Sequence, residues 1–185
     1  MLNPEPRSPN PSACPEDVSA GLVPGRRALI DNLPYIAMIL LGAVIFRLSV
    51  DSATWQGVLA EGYVAYGALG AFWIMVFVCP YCHFHGTTLC PCGYGWIAAK
   101  LRSKKESEDF AGRFKRHIPV IVPLWFLPPV AGGMALYGAF SWSLLILLAA
   151  FAVNSYLLLP LLSKHYGCAS CPQKDTCPWM GGCRK

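Results

Sequence analysis

An uncharged run from Ile118 to Ser163 constrains this chain more than any other sequence feature, because it contains no Asp, Glu, Lys or Arg. A membrane-spanning helix needs about 20 mostly apolar residues, so the run is long enough for two spans and a tight turn. Over the whole chain, 55% of the residues are hydrophobic and only 14% are charged, whereas soluble domains have about 25% charged residues. The sequence therefore predicts an all-α membrane protein.

Four stretches have the length and apolarity of membrane helices. They are Leu33–Val50, Gly62–Cys79, Ile118–Phe140 and Trp142–Leu162. Asp31 and Asn32 precede the first stretch and are predicted to cap its helix, since Asp and Asn are favoured at helix N-caps. The predicted architecture is a polytopic membrane helix bundle of about four spans, with short cytoplasmic cysteine-rich segments.

The predicted division of the chain follows from the position of these spans. Residues 1–30 contain six prolines and no apolar segment of the kind found in signal peptides, so a disordered N-terminal tail is expected there. Residues 31–163 are predicted to form the membrane domain, including a cysteine-rich and basic loop at residues 80–117. Residues 164–185 are predicted to form a cysteine-rich tail.

The third stretch contains a proline pair and a glycine pair that predict its shape and packing. These residues are Pro128, Pro129, Gly132 and Gly133. Proline removes a backbone donor and clashes with the preceding turn, so a bend is expected near the proline pair. Glycine permits close helix contact in lipid, so both glycines are expected to face a neighbouring helix. In the second stretch, Gly67, Gly70 and Ala71 form a small-residue stripe with the same expected role.

Lys and Arg are concentrated in three of the segments outside the predicted spans. Positively charged residues accumulate on the cytoplasmic side of membrane proteins, and only Arg47 lies on the opposite side. The sequence thus predicts a multi-pass protein of the inner (plasma) membrane with both termini in the cytoplasm. The cytoplasmic basic residues are Arg7, Arg26, Arg27, Lys100, Arg102, Lys104, Lys105, Arg113, Lys115, Arg116, Lys164, Lys174, Arg184 and Lys185.

The formal net charge of +5 needs no nucleic-acid partner to explain it. Basic residues next to a membrane span attract anionic lipid headgroups, and the loop at residues 100–116 lies at that position. The predicted partner of this charge is therefore the lipid bilayer, and no nucleic acid is predicted to bind.

Eight of the nine cysteines lie in two short clusters, and only Cys14 stands apart. The topology places both clusters at the same membrane face, where they could meet. The loop cluster consists of Cys79, Cys82, Cys90 and Cys92, with His83 and His85 between them, and the tail cluster consists of Cys168, Cys171, Cys177 and Cys183.

Metal binding is the first interpretation of these clusters. Cytoplasmic cysteines are normally reduced, so clustered thiols there more often bind metals or catalyse reactions than form structural disulfides. Pairs separated by two residues let two sulfurs converge on one ion. Each cluster is predicted to hold one metal centre, with His83 and His85 as alternative ligands, and a ligand set drawn from both clusters is an open alternative.

The spacing leaves the metal open between zinc and an iron–sulfur cluster, because both are held by thiolates in a tetrahedral arrangement. Several of the cysteines are followed by proline, as in Cys171-Pro and Cys177-Pro. Bacterial ferredoxin runs also end in Cys-Pro, which favours iron–sulfur, although the ferredoxin spacing is absent.

Two further motif interpretations concern Cys79-Pro-Tyr-Cys82-His83. The string fits the attachment pattern of c-type haem, but haem is attached on the outer side and the charge distribution predicts the inner side. Cys-Pro-Tyr-Cys is also the active-site string of glutaredoxins, in which a helix N-terminus lowers the thiol pKa. Here the string ends a predicted span and no βαβ pattern surrounds it, so the glutaredoxin fold is not predicted, while dithiol redox chemistry stays open.

The arrangement of these cysteines resembles a group of uncharacterised prokaryotic polytopic membrane proteins. The resemblance covers about the last two-thirds of the chain and implies a membrane bundle with inner-face cysteine clusters, without a known activity. The residues that carry it are Cys79, Cys82, Cys90, Gly93, Cys168, Cys171 and Cys177. A looser similarity, through Cys-Pro motifs at span ends, is to membrane ferredoxin subunits of quinol-oxidising systems.

These observations predict an integral membrane protein whose cysteines bind one or two iron–sulfur or zinc centres. If the centres are iron–sulfur, the predicted task is electron transfer between a cytoplasmic redox protein and either quinone or a membrane complex, of which this chain would be a redox subunit. The alternative from the enzyme class is a membrane thiol–disulfide oxidoreductase that passes electrons from dithiols to quinone. A metal transporter or metallochaperone is a third hypothesis. It is disfavoured because the predicted spans contain no Asp, Glu or Lys to carry ions.

We predict that Cys168 is inaccessible from outside the cell. A membrane-impermeant maleimide applied to intact cells should leave Cys168 unlabelled and should label it after permeabilisation. A Ser52→Cys variant provides the matched control, since Ser52 lies in the predicted outer loop and should react in intact cells. Labelling of Cys168 before permeabilisation would contradict the predicted orientation.

Overall fold

The computed structural model describes residues 24–87, 90–106, 109–167, 171, 173–174 and 177–180. About 80% of the structure is helical, and the described residues contain no β-strand. The α-helices are α1 (Pro24–Ser49), α2 (Ala53–Phe77), α3 (Tyr94–Leu101), α4 (Phe110–His117), α5 (Pro123–Gly138), α6 (Trp142–Ala152) and α7 (Leu159–Leu162). Short 3-10 turns at Cys79–Tyr81, Ile118–Val120 and Pro178–Met180 and π-helical turns at Val153–Leu158 and Ser163–Gly167 complete the described elements.

Four helical segments are long and apolar enough to cross a membrane: Ala28–Ser49, Ala53–Tyr81, Phe110–Gly138 and Trp142–His165. The predicted all-α membrane bundle of four spans is confirmed. The boundaries differ from the predicted ones, because α1 already begins at Pro24 and α2 begins at Ala53. Asp31 and Asn32 consequently lie inside α1 rather than at its N-cap.

Most of the surface of these four segments faces away from the bundle. Only 17% to 28% of the most apolar window of each segment is buried inside the protein. Large apolar side chains stand exposed on every span, for example Leu40, Leu69, Val130 and Ile146. A soluble protein rarely exposes continuous apolar surface of this extent, whereas lipid tails solvate it.

The buried core forms around α1, which contacts α2, α5 and α6. Its apolar side chains come from all four spans: Met38, Ile45, Phe46, Tyr63, Leu124, Leu144 and Phe151. Phe46 and Tyr63 pack with ring centroids 5.4 Å apart and join α1 to α2. Each remaining span therefore packs against α1.

Tyrosine hydroxyls bind the backbone carbonyls that the paired prolines of α5 leave without a partner. Proline has no N–H, so Pro128 and Pro129 leave the carbonyls four residues earlier without their helical donors. Tyr63 Oη donates to Leu124 O at 2.6 Å, and Tyr156 Oη donates to Trp125 O at 2.8 Å. Pro128 and Pro129 are thus each matched by one tyrosine from a neighbouring span.

The predicted glycine contacts are confirmed at Gly132 and wrong at Gly133. A Cβ added at Gly132 would lie 2.8 Å from Leu148 Cδ2 and 3.1 Å from Ile45 Cγ2, so this glycine allows close packing. A Cβ at Gly133 would meet nothing within 4 Å. Successive helix residues point about 100° apart, so both glycines could not face the same neighbour.

A π-helical turn at Val153–Leu158 interrupts the fourth span. π-turns inside α-helices are rare and often occur at functional sites. Asn154 and Ser155 are buried there, and Asn154 Nδ2 donates to Pro34 O of α1 at 2.9 Å. The turn therefore brings a polar side chain inward and fastens the fourth span to α1.

We predict that Tyr63→Phe destabilises the bundle by about 1–2 kcal/mol, because Leu124 O would be left buried without a donor. In a Pro128→Ala background the same substitution should cost less, since the restored N–H of residue 128 can reach Leu124 O. The free energy of unfolding in detergent micelles measures both effects. Tyr137→Phe is the control, because Tyr137 is 96% exposed. An equal cost of Tyr63→Phe in both backgrounds would show that the hydroxyl does not replace the missing donor.

Candidate thiol site

The chain after α2 folds back on itself into a small cap, which we define as residues 79–87 and 90–105. Its ends are joined where Lys105 N donates to Pro80 O at 2.8 Å. Its middle is joined where Gly86 N donates to Gly95 O at 3.0 Å. Gly95 must be glycine for this contact, because a Cβ there would lie 2.5 Å from Phe84 O. The cap carries all four cysteines of the loop cluster.

Cys90 lies in a tight turn just before the N-terminus of α3. Gly93 has a φ of 74°, a conformation that favours glycine, and its N–H donates to Cys90 O at 3.1 Å. This turn directs Gly95 N toward Cys90 Sγ at a distance of 3.2 Å. The first N–H groups of a helix lack partners within the helix. A thiolate at Cys90 can therefore accept a hydrogen bond from Gly95 N in the first turn of α3.

The sulfurs of Cys90 and Cys92 are only 3.8 Å apart. A hydrogen bond from the Cys92 thiol is the main reason that the pKa of Cys90 falls to about 6, and the N–H groups of Gly95, Gly93 and Cys92 lower it further against the effect of burial. The same hydrogen bond, together with burial, raises the pKa of Cys92 well above its usual value. The pair therefore combines one thiolate with one protonated thiol near neutral pH.

The tail lies against the cap through Gln173. Its Oε1 accepts from His83 N at 2.8 Å, and its Nε2 donates to Tyr81 O at 3.4 Å. Further along, Trp179 Nε1 donates to Ser163 Oγ at 3.0 Å, and the Trp179 ring stacks on Trp125 with centroids 6.2 Å apart. These contacts hold the described tail residues at the end of the bundle where the cap lies.

Cys82 lies between the loop and tail clusters. Burial raises the pKa of its thiol to about 12, the N–H of Phe84 partly opposes this, and charges on Cys90, Cys171 and Cys177 raise it further. The charge of Cys79 acts in the same way on Cys92. Six thiols from the two predicted clusters therefore interact electrostatically at one end of the bundle.

Only part of the predicted metal-ligand sets lies among the described residues. Cys168 and Cys183 lie outside the described residues. Among the residues that are described, no three Cys, His, Asp or Glu side chains form a group that could hold a metal ion. The two four-cysteine centres therefore stay predictions.

The two histidines of the cap have different surroundings. His85 is buried, with 7% of its surface exposed, and its Nε2 lies 3.1 Å from Arg102 O. Because a carbonyl only accepts, Nε2 is the donor, which leaves Nδ1 as the one ring nitrogen available for a metal. The rings of His83 and Phe84 pack in a T-shaped arrangement with centroids 5.8 Å apart. The role of His83 as a metal ligand also stays a prediction.

Asn32 contributes to the site although sequence patterns gave it another role. Its Nδ2 donates to Cys92 O at 2.9 Å and to Ala28 O at 2.7 Å. This side chain fixes the Cys90–Cys92 turn to α1. In the sequence, Asn32 is recognisable only as a polar residue next to a long apolar stretch. This position fits the predicted helix cap equally well, so it did not indicate a contact with the cysteine turn.

We predict that Cys90 is alkylated rapidly above pH 6 and slowly below it, since its thiolate is lost as the pH falls through the pKa. Cys92→Ala removes the main hydrogen bond to the thiolate and should raise the pKa of Cys90. An increase of one pH unit in this pKa would lower the thiolate fraction at pH 6 about fivefold. Cys92→Ser retains a hydrogen-bond donor, so the pKa of Cys90 in this variant should stay close to that in the parent protein. The measurement is iodoacetamide labelling at several pH values, with the Cys90 peptide quantified by mass spectrometry. Equal pH profiles for the parent and Cys92→Ala would contradict the proposed role of Cys92.

Comparisons with protein-family models, curated proteins and solved structures found no match to this chain. The resemblance to polytopic proteins with inner-face cysteines therefore stays a prediction. What the thiol site can do follows from its own geometry: a thiolate and a thiol 3.8 Å apart at a helix N-terminus, on a bundle of four apolar spans.

Proposed function

We propose that this protein is a membrane-bound thiol–disulfide oxidoreductase whose redox-active pair is Cys90 and Cys92. The observation that carries the proposal is the 3.8 Å separation of the two sulfurs, with Gly95 N directed at Cys90 Sγ. Formation of a disulfide requires the sulfurs to approach to about 2.05 Å, a movement of less than 2 Å within one short turn.

The pair can accept two electrons from a substrate dithiol. A substrate thiolate attacks Cys90 Sγ of the Cys90–Cys92 disulfide, and Cys92 leaves and takes a proton. The second substrate thiol, after losing its proton, attacks the substrate sulfur of the mixed disulfide and releases Cys90 as a thiolate. The substrate ends as a disulfide, and the protein ends with one thiol and one thiolate.

The different protonation of Cys90 and Cys92 favours oxidation of the substrate by the protein. A low pKa makes Cys90 a good leaving group and stabilises the reduced protein, so its disulfide is a stronger oxidant. The high pKa of Cys92 keeps the second sulfur protonated when it is released. We therefore propose oxidation of substrate dithiols rather than reduction of substrate disulfides.

The four apolar spans support a location in the membrane, and the distribution of basic residues supports a cytoplasmic position of the thiol site. On the positive-inside rule, the thiol site faces the cytoplasm from the inner (plasma) membrane. Its partners there would be a cytoplasmic redox protein or a membrane complex of which this chain is a redox subunit. Reduced thiols are the normal state of cytoplasmic cysteines, which supplies the substrate dithiols that the proposal needs.

A second candidate function is metal binding by thiolates that join loop and tail, with electron transfer if the centre is an iron–sulfur cluster and a structural role if it is zinc. It is favoured by the charge interactions of Cys82 with Cys171 and Cys177. A bound cation would favour the thiolate form of these cysteines and would order the tail. Because no three described side chains form a group that could hold a metal ion, at most two of Cys82, Cys171 and Cys177 would bind the same ion in this candidate. The predicted ligands Cys168 and Cys183 would supply the others.

Redox titration of the purified protein tests the first proposal. In glutathione buffers, a Cys90–Cys92 disulfide should form reversibly, with a reduction potential above the glutaredoxin range of about −230 to −200 mV. Mass spectrometry of the linked peptide identifies the pair. Cys90→Ala should abolish the titration, and Cys14→Ala serves as the matched control because Cys14 lies apart from both clusters.

The metal content of the same anaerobic preparation separates the two candidates. Stoichiometric metal that is lost in Cys82→Ser and Cys171→Ser, with no titratable Cys90–Cys92 disulfide, would replace the first proposal by the second. Absence of both the disulfide and the metal would contradict both candidates.

A further inference from the structure

A groove of about 480 Å³ lies between α1 and α2 on the outside of the bundle. The exposed side chains of Leu40, Val44 and Val64 make much of it apolar. One charge of each sign also lines it, Arg47 from α1 and Glu61 from α2. The groove therefore has a positive side and a negative side.

Glu61 lies within the second span. The apolar segment Ala53–Tyr81 has 29 residues, which extend for about 43 Å along the helix axis. When the segment is centred in a hydrocarbon core about 30 Å thick, about 6 Å project from each side. Glu61 follows Ala53 by about 12 Å along the axis, so its backbone is about 5 Å inside the hydrocarbon region.

Arg47 lies at nearly the same depth as Glu61. A short connection joins α1 to α2, so the two helices are antiparallel, and Phe46 packs against Tyr63. Arg47 directly follows Phe46, Glu61 comes shortly before Tyr63, and both steps lead toward the connection. The two charges therefore stand on opposite sides of the groove at one level of the bundle.

Both charges point away from the bundle interior. The side chains of Arg47 and Glu61 are exposed, and neither forms an ion pair or a hydrogen bond with another of the residues that the structure describes. Ionisable residues within membrane spans almost always face the bundle interior or a water-filled cavity and pair with one another. The outward position of this pair is explained if another protein surface covers the groove.

The two charges are self-complementary in a symmetric pair of chains. Two copies with the same orientation in a membrane can be related by a twofold axis along the membrane normal. Rotation about such an axis in front of the groove keeps the depth of every residue and places α1 of one copy opposite α2 of the other. Arg47 of each copy then faces Glu61 of the partner subunit, so the interface contains two ion pairs.

Small residues beside the charges permit this approach. Packed helices are separated by about 8–10 Å, and small residues at the contact let helix backbones come close in lipid. Ala43 and Ala65 line the groove, and Gly57 lies one turn from Glu61 on the same side of α2. A Cβ added at Gly57 would meet nothing within 4 Å, so no contact among the described residues requires this glycine.

A phospholipid satisfies the groove less well than a second copy. Its acyl chains could fill the apolar part, but its charged headgroup lies outside the hydrocarbon core, whereas Glu61 lies within that core. The partner's Arg47 starts from the same level of the bundle as Glu61 and therefore brings its charge to the required depth.

We propose that the groove between α1 and α2 is the interface of a homodimer, held by two reciprocal ion pairs between Arg47 and Glu61 of the partner subunit. The charges lie near the start of α2, whereas the cap follows its other end, so the interface leaves the thiol site uncovered. The inference does not depend on the proposed thiol function, and Cys90→Ala/Cys92→Ala should dimerise like the parent.

Sedimentation equilibrium of the full chain tests the interface, in density-matched detergent micelles with a reductant that prevents disulfides between copies. We expect the parent to be a dimer. Arg47→Glu alone, or Glu61→Arg alone, places like charges opposite each other and should raise the dissociation constant at least about tenfold. Lys115→Glu is the matched control, because it reverses an exposed charge on α4 and should dimerise like the parent.

A mixture of the two single variants gives the sharpest test. In a mixed pair of Arg47→Glu and Glu61→Arg chains, each of the two contacts joins a glutamate of one chain to an arginine of the other. The equimolar mixture should therefore dimerise about as tightly as the parent, although neither variant does so alone. An ion pair within one chain, or a lipid headgroup held between the two charges, would give no such rescue.

Gly57→Leu tests the interface without a change of charge. The added side chain has space in a single chain but should obstruct the partner and raise the dissociation constant about tenfold. Gly133→Leu is its control, since a Cβ at Gly133 would also meet nothing within 4 Å and α5 does not line the groove. This variant should dimerise like the parent.

Several results would overturn the proposed interface. These are a parent that stays monomeric, a dimer that neither charge reversal weakens, or a mixture of the two variants that stays monomeric. A monomeric parent that retains one phospholipid in native mass spectrometry, with loss of this lipid in Arg47→Glu, would assign the groove to lipid instead. A dimer without a titratable Cys90–Cys92 disulfide would leave the interface standing and remove only the thiol function.

Discussion

The fold depends on how the carbonyls freed by Pro128 and Pro129 find hydrogen-bond donors inside a membrane. Lipid offers none, so an unpartnered carbonyl at that depth is expensive. Tyr63 and Tyr156 provide the donors from the spans on either side. These two bonds tie the second, third and fourth spans together at one level and leave α1 to fill the centre.

The thiol site is built on the ends of the same spans. The second span continues directly into Cys79–Tyr81 and the cap, and the fourth continues into the tail that carries Gln173 and Trp179. Because the spans are fixed against each other, Gln173 can reach His83 N and Tyr81 O. The apolar bundle thus decides which cysteines meet, although none of its core side chains takes part in thiol chemistry.

Sequence patterns predicted the parts of this structure that depend on bulk apolarity and missed those that depend on individual contacts. The four spans followed from long uncharged stretches, and the packing of Gly67 against Ile39 followed from residue size. The role of Asn32 could not be predicted, because it depends on where the cap returns sixty residues later. The low pKa of Cys90 was equally hidden, since it requires the turn at Gly93 and the direction of one N–H group.

The π-helical turn at Val153–Leu158 has a consequence for the tail. Successive residues of an α-helix are about 100° apart, so one additional residue in a turn rotates everything that follows by roughly that angle. The direction in which the chain leaves the fourth span, and hence the side from which Cys171 and Cys177 approach the cap, is therefore set by a residue count inside the membrane. Loss of one residue from this turn would keep the span hydrophobic and long enough, yet it would deliver the tail to another face of the bundle.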